Sequence, residues 1–320
     1  MIYFLLFSLS LGLTYIIKNY AIKKSLLAAV NERSSHTTPT PHGGGIAIAL
    51  TWFLGLLYLY MYNLIEANLF FALLAGGVIS IVSFIDDMID LRPKTRLLTQ
   101  LFVALLGLSF LGGLGEIHLF FFSVKNQLLT NAFAILMIVW FINLYNFLDG
   151  IDGYAGSEAI FLGISGLLLF GDKHFLVLIV CVAGFLVLNW HRAKIFMGDV
   201  GSTLLGYNVA IFTIYYANQA SLNLWIWIIL FGVFWFDATL TLFRRLKNKE
   251  KLSQAHKKHA YQRLAQSGWS HSKVVLYSLG LNLFLLGLVY FISNPFLAFF
   301  ITLIVLFACV KFVDKRKKFI

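Results

Sequence analysis

Long apolar runs alternate with short polar breaks along the whole chain. Runs long enough for a hydrocarbon core of about 30 Å, which takes about 20 helical residues, fall near residues 1–17, 44–62, 68–85, 97–115, 128–148, 155–171, 174–190, 203–217, 222–243, 275–293 and 296–313. The pattern predicts an all-α, polytopic integral membrane protein with about eleven transmembrane helices, or ten, forming a single domain over 1–320. The first run has no basic start and no small-residue cleavage site, and Lys18 follows it directly, so it reads as a helix rather than a leader. The larger polar breaks lie near 18–43, 86–96, 149–154, 191–202 and 244–274.

Composition agrees with this pattern. Of the 320 residues 60% are hydrophobic and 12% charged, against about 25% charged in soluble domains. Cys181 and Cys309 sit inside apolar runs, where a thiol behaves as a small hydrophobe, and no disulfide framework is implied.

Cytoplasmic loops retain positive charge, so the 25 basic residues set an orientation. With the N-terminus outside and the C-terminus cytoplasmic, every Lys and Arg except Lys125 and Lys173 falls on the inner side. The net charge of +11 is thereby explained by topology and anionic lipid, with no nucleic-acid partner required. In this orientation the acidic motifs also emerge on the cytoplasmic face. A transporter more often places its ionisable groups near the midplane of two related halves, and no internal repeat is evident.

Three motifs carry the chemistry. Ser83-Phe84-Ile85-Asp86-Asp87 closes one run with adjacent carboxylates, which repel unless a cation stands beside them. By itself the pair is also readable as a solvated helix end balanced by Arg92, Lys94 and Arg96. In Asn143-Leu144-Tyr145-Asn146-Phe147-Leu148-Asp149-Gly150-Ile151-Asp152-Gly153, the residues Asn143, Asn146, Asp149 and Asp152 recur at i, i+3 and so begin on one helix face. An ordinary Asn/Asp/Gly turn explains the glycines but not two asparagines still inside an apolar run, where unsatisfied amides are costly. Phe196-Met197-Gly198-Asp199-Val200-Gly201-Ser202 sets a carboxylate at the start of the next run, where helix N–H groups can meet phosphate or Asp199 can serve as an N-cap. Asp and Asn oxygens together with phosphate suit Mg²⁺, and no His/Cys cluster with zinc spacing competes.

From Pro39-Thr40-Pro41-His42-Gly43-Gly44 to Trp269, with all motifs in order, the chain resembles the polyprenyl-phosphate sugar-1-phosphate transferases. That family includes the phospho-muramoyl-pentapeptide and N-acetylglucosaminyl-1-phosphate transferases. The resemblance is strongest to bacterial inner-membrane members that start O-antigen or related surface polysaccharides. It implies transfer of a sugar-1-phosphate, expected to be an N-acetylhexosamine-1-phosphate, from a UDP-sugar to undecaprenyl phosphate. Mg²⁺ is the expected cofactor, with Mn²⁺ able to substitute. Asp199 and Asn146 match metal-ligating positions, Asp152 and Phe196 match uracil-binding ones, and Asp86 and Asp87 match the acidic pair assigned to the acceptor phosphate. Asp86, Asp87 and His259 are therefore the expected catalytic residues, and Asn143, Asp149, Asp152, Phe196, Lys194 and Arg263 the expected substrate-binding ones. The expected partners are the UDP-sugar, undecaprenyl phosphate and the bilayer, and the family is compatible with a homodimer.

The chain departs from relatives that carry His-x-His-His. Here His259-Ala260-Tyr261-Gln262-Arg263 keeps only the first histidine, and Arg263, Arg244 or Arg245 is expected to replace the others at phosphate. Asp237 is expected to pair with Arg245 or to line the sugar pocket, and most of the seven tryptophans to form an interfacial belt. The alternatives are a transporter or flippase of lipid-linked anionic sugars, a phospho-muramoyl-pentapeptide transferase, and a silent scaffold.

Overall fold

A computed structural model describes residues 1–24, 27–28, 39–252, 254 and 256–319. Residues 25–26 and 29–38 of the polar break near 18–43 lie outside them. The chain forms α1 (Ile2–Lys23), α2 (Gly45–Met61), α3 (Ala67–Leu74), α4 (Gly76–Ile89) and α5 (Pro93–Phe110). Then follow α6 (Gln127–Leu148), α7 (Tyr154–Phe170), α8 (Lys173–Asn189) and α9 (Asp199–Gln219). The last part comprises α10 (Asn223–Leu230), α11 (Gly232–Lys247), α12 (Ala260–Gln266), α13 (His271–Phe291) and α14 (Pro295–Arg316).

Each of the eleven apolar runs coincides with a helix or a consecutive helix pair. Among the described residues five stretches are long and apolar enough to cross a membrane: α1, the joined α3–α4, α6, α13 and α14. A sixth counts if α10 and α11, bent by 73° at Phe231, are one span. The α2, α7 and α8 helices are apolar but shorter. The protein is thus a mostly helical, multi-pass membrane protein. Two small antiparallel pairs, Leu27–Ala28 with Thr40–Pro41 and Ile117–Leu119 with Phe122–Val124, are the exceptions to an all-α fold.

Helix α9 is the hub. It is buried along nearly its whole length and packs against α2, α3, α4, α6 and α10. That explains how it carries Asn208 and Thr213 without facing lipid. Glycine sets the closest of these crossings: a side chain on Gly45 would strike the backbone of Gly201, and one on Gly201 would strike Gly45. The tryptophan expectation holds only in part, because Trp52 and Trp227 are fully buried in the aromatic core rather than at a boundary. Trp227 lies between Phe175 and Phe212, with ring centroids 5.9 Å away in both cases.

Candidate functional site

The polar motifs converge at one end of the helix bundle. The segment before α2 pairs with the segment before α9. Phe196 N–H donates to Pro41 O (2.8 Å), Gly44 N–H to Phe196 O (2.9 Å) and Gly45 N–H to Met197 O (2.8 Å). Gly198, at φ +77°, then turns the chain into α9. A Cβ at Gly198 would stand 3.2 Å from Oδ2 of Asp87, so this carboxylate lies over the positive end of α9, as does Asp199.

From α6, Asn146 reaches the same point. Its Nδ2 donates to Asp199 Oδ1 (2.9 Å) and Ser202 Oγ (2.9 Å). The C-terminal turn of α6 is pinned by Tyr145, whose hydroxyl donates to Ala155 O (2.7 Å), and by Tyr261, whose hydroxyl donates to Phe147 O (3.1 Å). A cavity of about 380 Å³ opens here, lined by Asp87, Asn146, Asp149, Asp152, Phe196 and Asp199 among others. This volume is in the range of small-molecule sites. Burial, followed by the nearby charges of Asp199 and Asp87, pushes Asp149 up to about 7. Asp87, Asp149, Asp199 and the Asn146 amide line this one cavity, and carboxylate and amide oxygens are the donor type that Mg²⁺ takes.

A second cavity of about 300 Å³ adjoins the first and shares Asn146 and Asp199 with it. It is lined by Ser83, Asp86, Arg96, Gln100, Asn143 and Thr203, and by apolar side chains such as Ile79 and Leu97. Asn143 is fixed by Gln100, whose Oε1 accepts from its Nδ2 at 2.7 Å. The two members of the acidic pair have different surroundings. Asp86 is engaged at both oxygens, by Leu91 N–H (2.7 Å) and Arg96 Nε (2.7 Å), whereas Asp87 lines the first cavity.

Asp152, in the α6–α7 loop, is held through one oxygen. Its Oδ2 lies 2.9 Å from His191 Nδ1, 3.2 Å from Ala193 N and 3.2 Å from His271 Nδ1. Burial alone would raise this carboxyl. His271, His191 and the Ala193 N–H around its oxygen outweigh that and hold it below the usual carboxylate range.

Other expected site residues lie elsewhere. Arg263 lines neither cavity: its Nη1 donates to Asp314 Oδ1 (2.6 Å) and Lys317 O (2.9 Å), tying α12 to the C-terminal helix. Arg244 donates to both oxygens of the same Asp314, at 2.9 Å each. Arg245 is spent on Glu250 and on the carbonyls of Lys251, Leu252 and Gln254. Lys194 is exposed and lines neither cavity. His259 is buried, its Nδ1 3.7 Å from Asp237, and also borders neither. Asp237 therefore pairs with the start of α12 rather than with Arg245: it accepts from Ala260 N (2.8 Å) and Tyr261 N (3.4 Å).

The sequence reading missed Gln262 and His271, which line the first cavity, and His191, which braces Asp152. Gln262 stands where many relatives carry a histidine, and its Oε1 accepts from His259 N–H (3.2 Å). That substitution was the one available signal.

Comparison with known proteins agrees with the geometry. The model of glycosyl transferase family 4 matches residues 69–217. A probable undecaprenyl-phosphate N-acetylglucosaminyl 1-phosphate transferase of Bacillus subtilis is 32% identical over 300 residues, spanning 88% of this chain and 80% of the relative. A decaprenyl-phosphate N-acetylglucosaminephosphotransferase of Mycobacterium leprae is 29% identical, over 78% of this chain and 72% of its own. A phospho-N-acetylmuramoyl-pentapeptide-transferase of Streptococcus suis is 33% identical, over 53% and 56%. With these relatives, and with the acidic motifs gathered at one end of a helical membrane bundle, the chain belongs to the polyprenyl-phosphate sugar-1-phosphate transferase family of glycosyl transferases.

Proposed function

We propose that the protein transfers an N-acetylhexosamine-1-phosphate from a UDP-sugar to undecaprenyl phosphate on the cytoplasmic face of a bacterial inner membrane, as the first step of a surface polysaccharide. The observation that carries this reading is the pair of adjoining cavities joined at Asn146 and Asp199. The first, more polar and rimmed by Phe196 and Asp152, suits the nucleotide donor. The second combines Arg96 with apolar walls and suits a phosphate attached to a lipid. The basic-residue distribution supports an N-terminus outside and a C-terminus in the cytosol.

In the reaction, an acceptor phosphate oxygen attacks the sugar-bearing phosphorus of the donor. The bond from that phosphorus to the bridging diphosphate oxygen breaks, and UMP leaves with the electron pair. Asp199 and Asn146 would hold Mg²⁺, or Mn²⁺ in its place, with Asp149 beside them. When bound, the ion supplies charge neutralisation on the diphosphate. Arg96 anchors the acceptor phosphate, and the Arg96–Asp86 pair fixes that guanidinium. Asp87 faces the donor cavity and keeps the incoming phosphate ionised and aligned. Phe196 stacks on the base, and Asp152 accepts a hydrogen bond from it.

The N-acetylglucosaminyl relative covers 88% of this chain and the muramoyl-pentapeptide ones 53% to 74%, which favours the smaller donor sugar. The test is UMP release by purified protein in lipid nanodiscs, with a panel of UDP-sugars, with and without polyprenyl phosphate and Mg²⁺. Release that needs all three supports the reading. Sugar-nucleotide hydrolysis without acceptor, or transport without release, overturns it.

A further inference from the structure

Asp152 has a bracing apparatus that catalysis by the acidic motifs does not use. Two donors from the α8–α9 loop, His191 Nδ1 and Ala193 N–H, converge on its Oδ2, while His271, the first residue of α13, takes the Asp152 backbone N–H and stands 3.2 Å from the same oxygen. Among the described residues no hydrogen bond engages Oδ1. Asp152 lines the donor cavity, with its residue only 7% exposed.

The scaffold behind the brace is also built. Asn189 bridges the two loops, accepting from Gly153 N (3.0 Å) and donating to Ile195 O (2.9 Å). The register of α13 on α7 is set by polar rungs further in: Ser278 Oγ meets Tyr154 OH at 3.5 Å, and Asn282 Nδ2 donates to Glu158 Oε2 at 2.6 Å. Such buried pairs resist sliding, since a shift of one turn leaves each group unsatisfied. His271 is thereby aimed at Asp152.

The two histidines hold different atoms of Asp152. His271 Nδ1 accepts from the Asp152 N–H at 3.3 Å and stands 3.2 Å from its Oδ2. His191 Nδ1, 2.9 Å from Oδ2, carries a hydrogen, because an ionised carboxylate cannot donate. With Oδ2 saturated, Asp152 presents one oriented acceptor oxygen to the cavity.

We infer that His191 and His271 are positioning residues that clamp Asp152 as a one-sided acceptor, so that the donor site selects a base with a ring N–H and rejects one with a bare ring nitrogen there. This rests on the proposed function for the contact between Asp152 and the base; the clamp and its consequence for selectivity are added. A fixed acceptor meets the imide N–H of uracil with a hydrogen bond, but sets lone pairs against the corresponding nitrogen of cytosine. A carboxylate free to rotate discriminates less.

The test compares His271→Ala, His271→Asn and His191→Ala with wild type, in UMP-release kinetics and in competition by UDP and CDP. Asn places an amide oxygen near the position of Nδ1, where it can accept the Asp152 N–H. The expected result is a donor KM raised about tenfold in either Ala variant, equivalent to losing one hydrogen bond. Acceptor KM and saturated turnover stay unchanged, the preference for UDP over CDP shrinks, and His271→Asn recovers most of it. Should His271→Ala fail to fold, His191→Ala carries the test, because that side chain is 31% exposed. An unchanged donor KM and UDP/CDP ratio, with wild-type transfer intact, overturns the clamp and leaves the reaction standing. A stoichiometric transition metal in the purified protein, lost on His191→Ala, also overturns it, since the three ligand atoms lie within 4.8 Å of one another. Absence of transfer in wild type would instead strike the functional reading.

Discussion

One amide nitrogen of Asn146 donates to both Asp199 and Ser202, at 2.9 Å each, so α6 is stitched to the first turn of α9 where the two cavities meet. The arrangement leaves the Asn146 carbonyl oxygen and Asp199 Oδ2 for a cation. Asp199→Ala and Asn146→Ala should therefore lower UMP release by about 10²-fold or more, the scale of losing a preorganised electrostatic contact. Ser202→Ala, which loosens the Asn146 amide and removes the bond from Ser202 Oγ to Gly198 O, should raise the Mg²⁺ needed for half-maximal rate by about tenfold, as for other supporting groups. Size-exclusion profiles should be unchanged. Near wild-type turnover in Asp199→Ala would remove the site assignment.

Arg96 stands 2.7 Å from Asp86 and 2.7 Å from Asp90, on the acceptor side. Replacing it with Ala should raise the KM for polyprenyl phosphate about tenfold while leaving the donor KM alone, the loss expected for one charged hydrogen bond. Asp87→Asn should abolish turnover, because Asp87 lines the donor cavity. Asp86→Asn should act more weakly and mainly through Arg96. Titration of each substrate at saturating partner separates these effects, and a donor KM that rises in Arg96→Ala would reverse the assignment of the two cavities.

Much of this was written in the chain. Each apolar run marked a helix or helix pair, because hydropathy reports directly on the solvent a segment is built for, but among the described residues only five or six stretches, not eleven, are long and apolar enough to cross a membrane. The runs did not mark the bend at Phe231, since two apolar half-helices look like one span to any average. Nor did they show that α9 lies inside the bundle: Asn208 and Thr213 in an apolar run are the trace, yet a polar residue facing a neighbouring helix is indistinguishable from one facing a cavity. That Asp87, Asn146, Asp149, Asp152, Phe196 and Asp199 line one cavity follows from short local motifs that the sequence exposes. His191 and His271 were not legible in this way, because His271 is separated from Asp152 by 119 positions and each looks like a solvated histidine in a basic loop. Arg263 was misassigned for the same reason, its partner being near the C-terminus.

Arg263 gives a prediction that separates support from chemistry. Its side chain is 3% exposed and shares Asp314 with Arg244, so it anchors the α12 segment that carries Gln262 into the donor cavity. Arg263→Ala should lower the thermal midpoint by several degrees, since it leaves a carboxylate short of a partner. The KM values of the surviving folded protein should be unchanged. Gln262→Ala should do the converse, with donor KM raised and thermal midpoint held. A raised donor KM in Arg263→Ala at temperatures well below the transition would restore this arginine to the binding site.

The clamp on Asp152 also fixes a pH dependence. Its folded-state pKa is depressed, so the stabilisation it provides is complete above the unfolded value of about 3.9 and lost only as pH falls through the lower folded value. Removing both histidines takes away their lowering of the pKa and leaves burial, which raises it. In His191→Ala/His271→Ala the acid limb of UDP-sugar affinity should therefore move to higher pH than in wild type. Calorimetric titration of nanodisc-embedded protein between about pH 4 and 8 measures it. Superimposable affinity profiles for the two proteins would mean that the histidines do not govern the charge of Asp152.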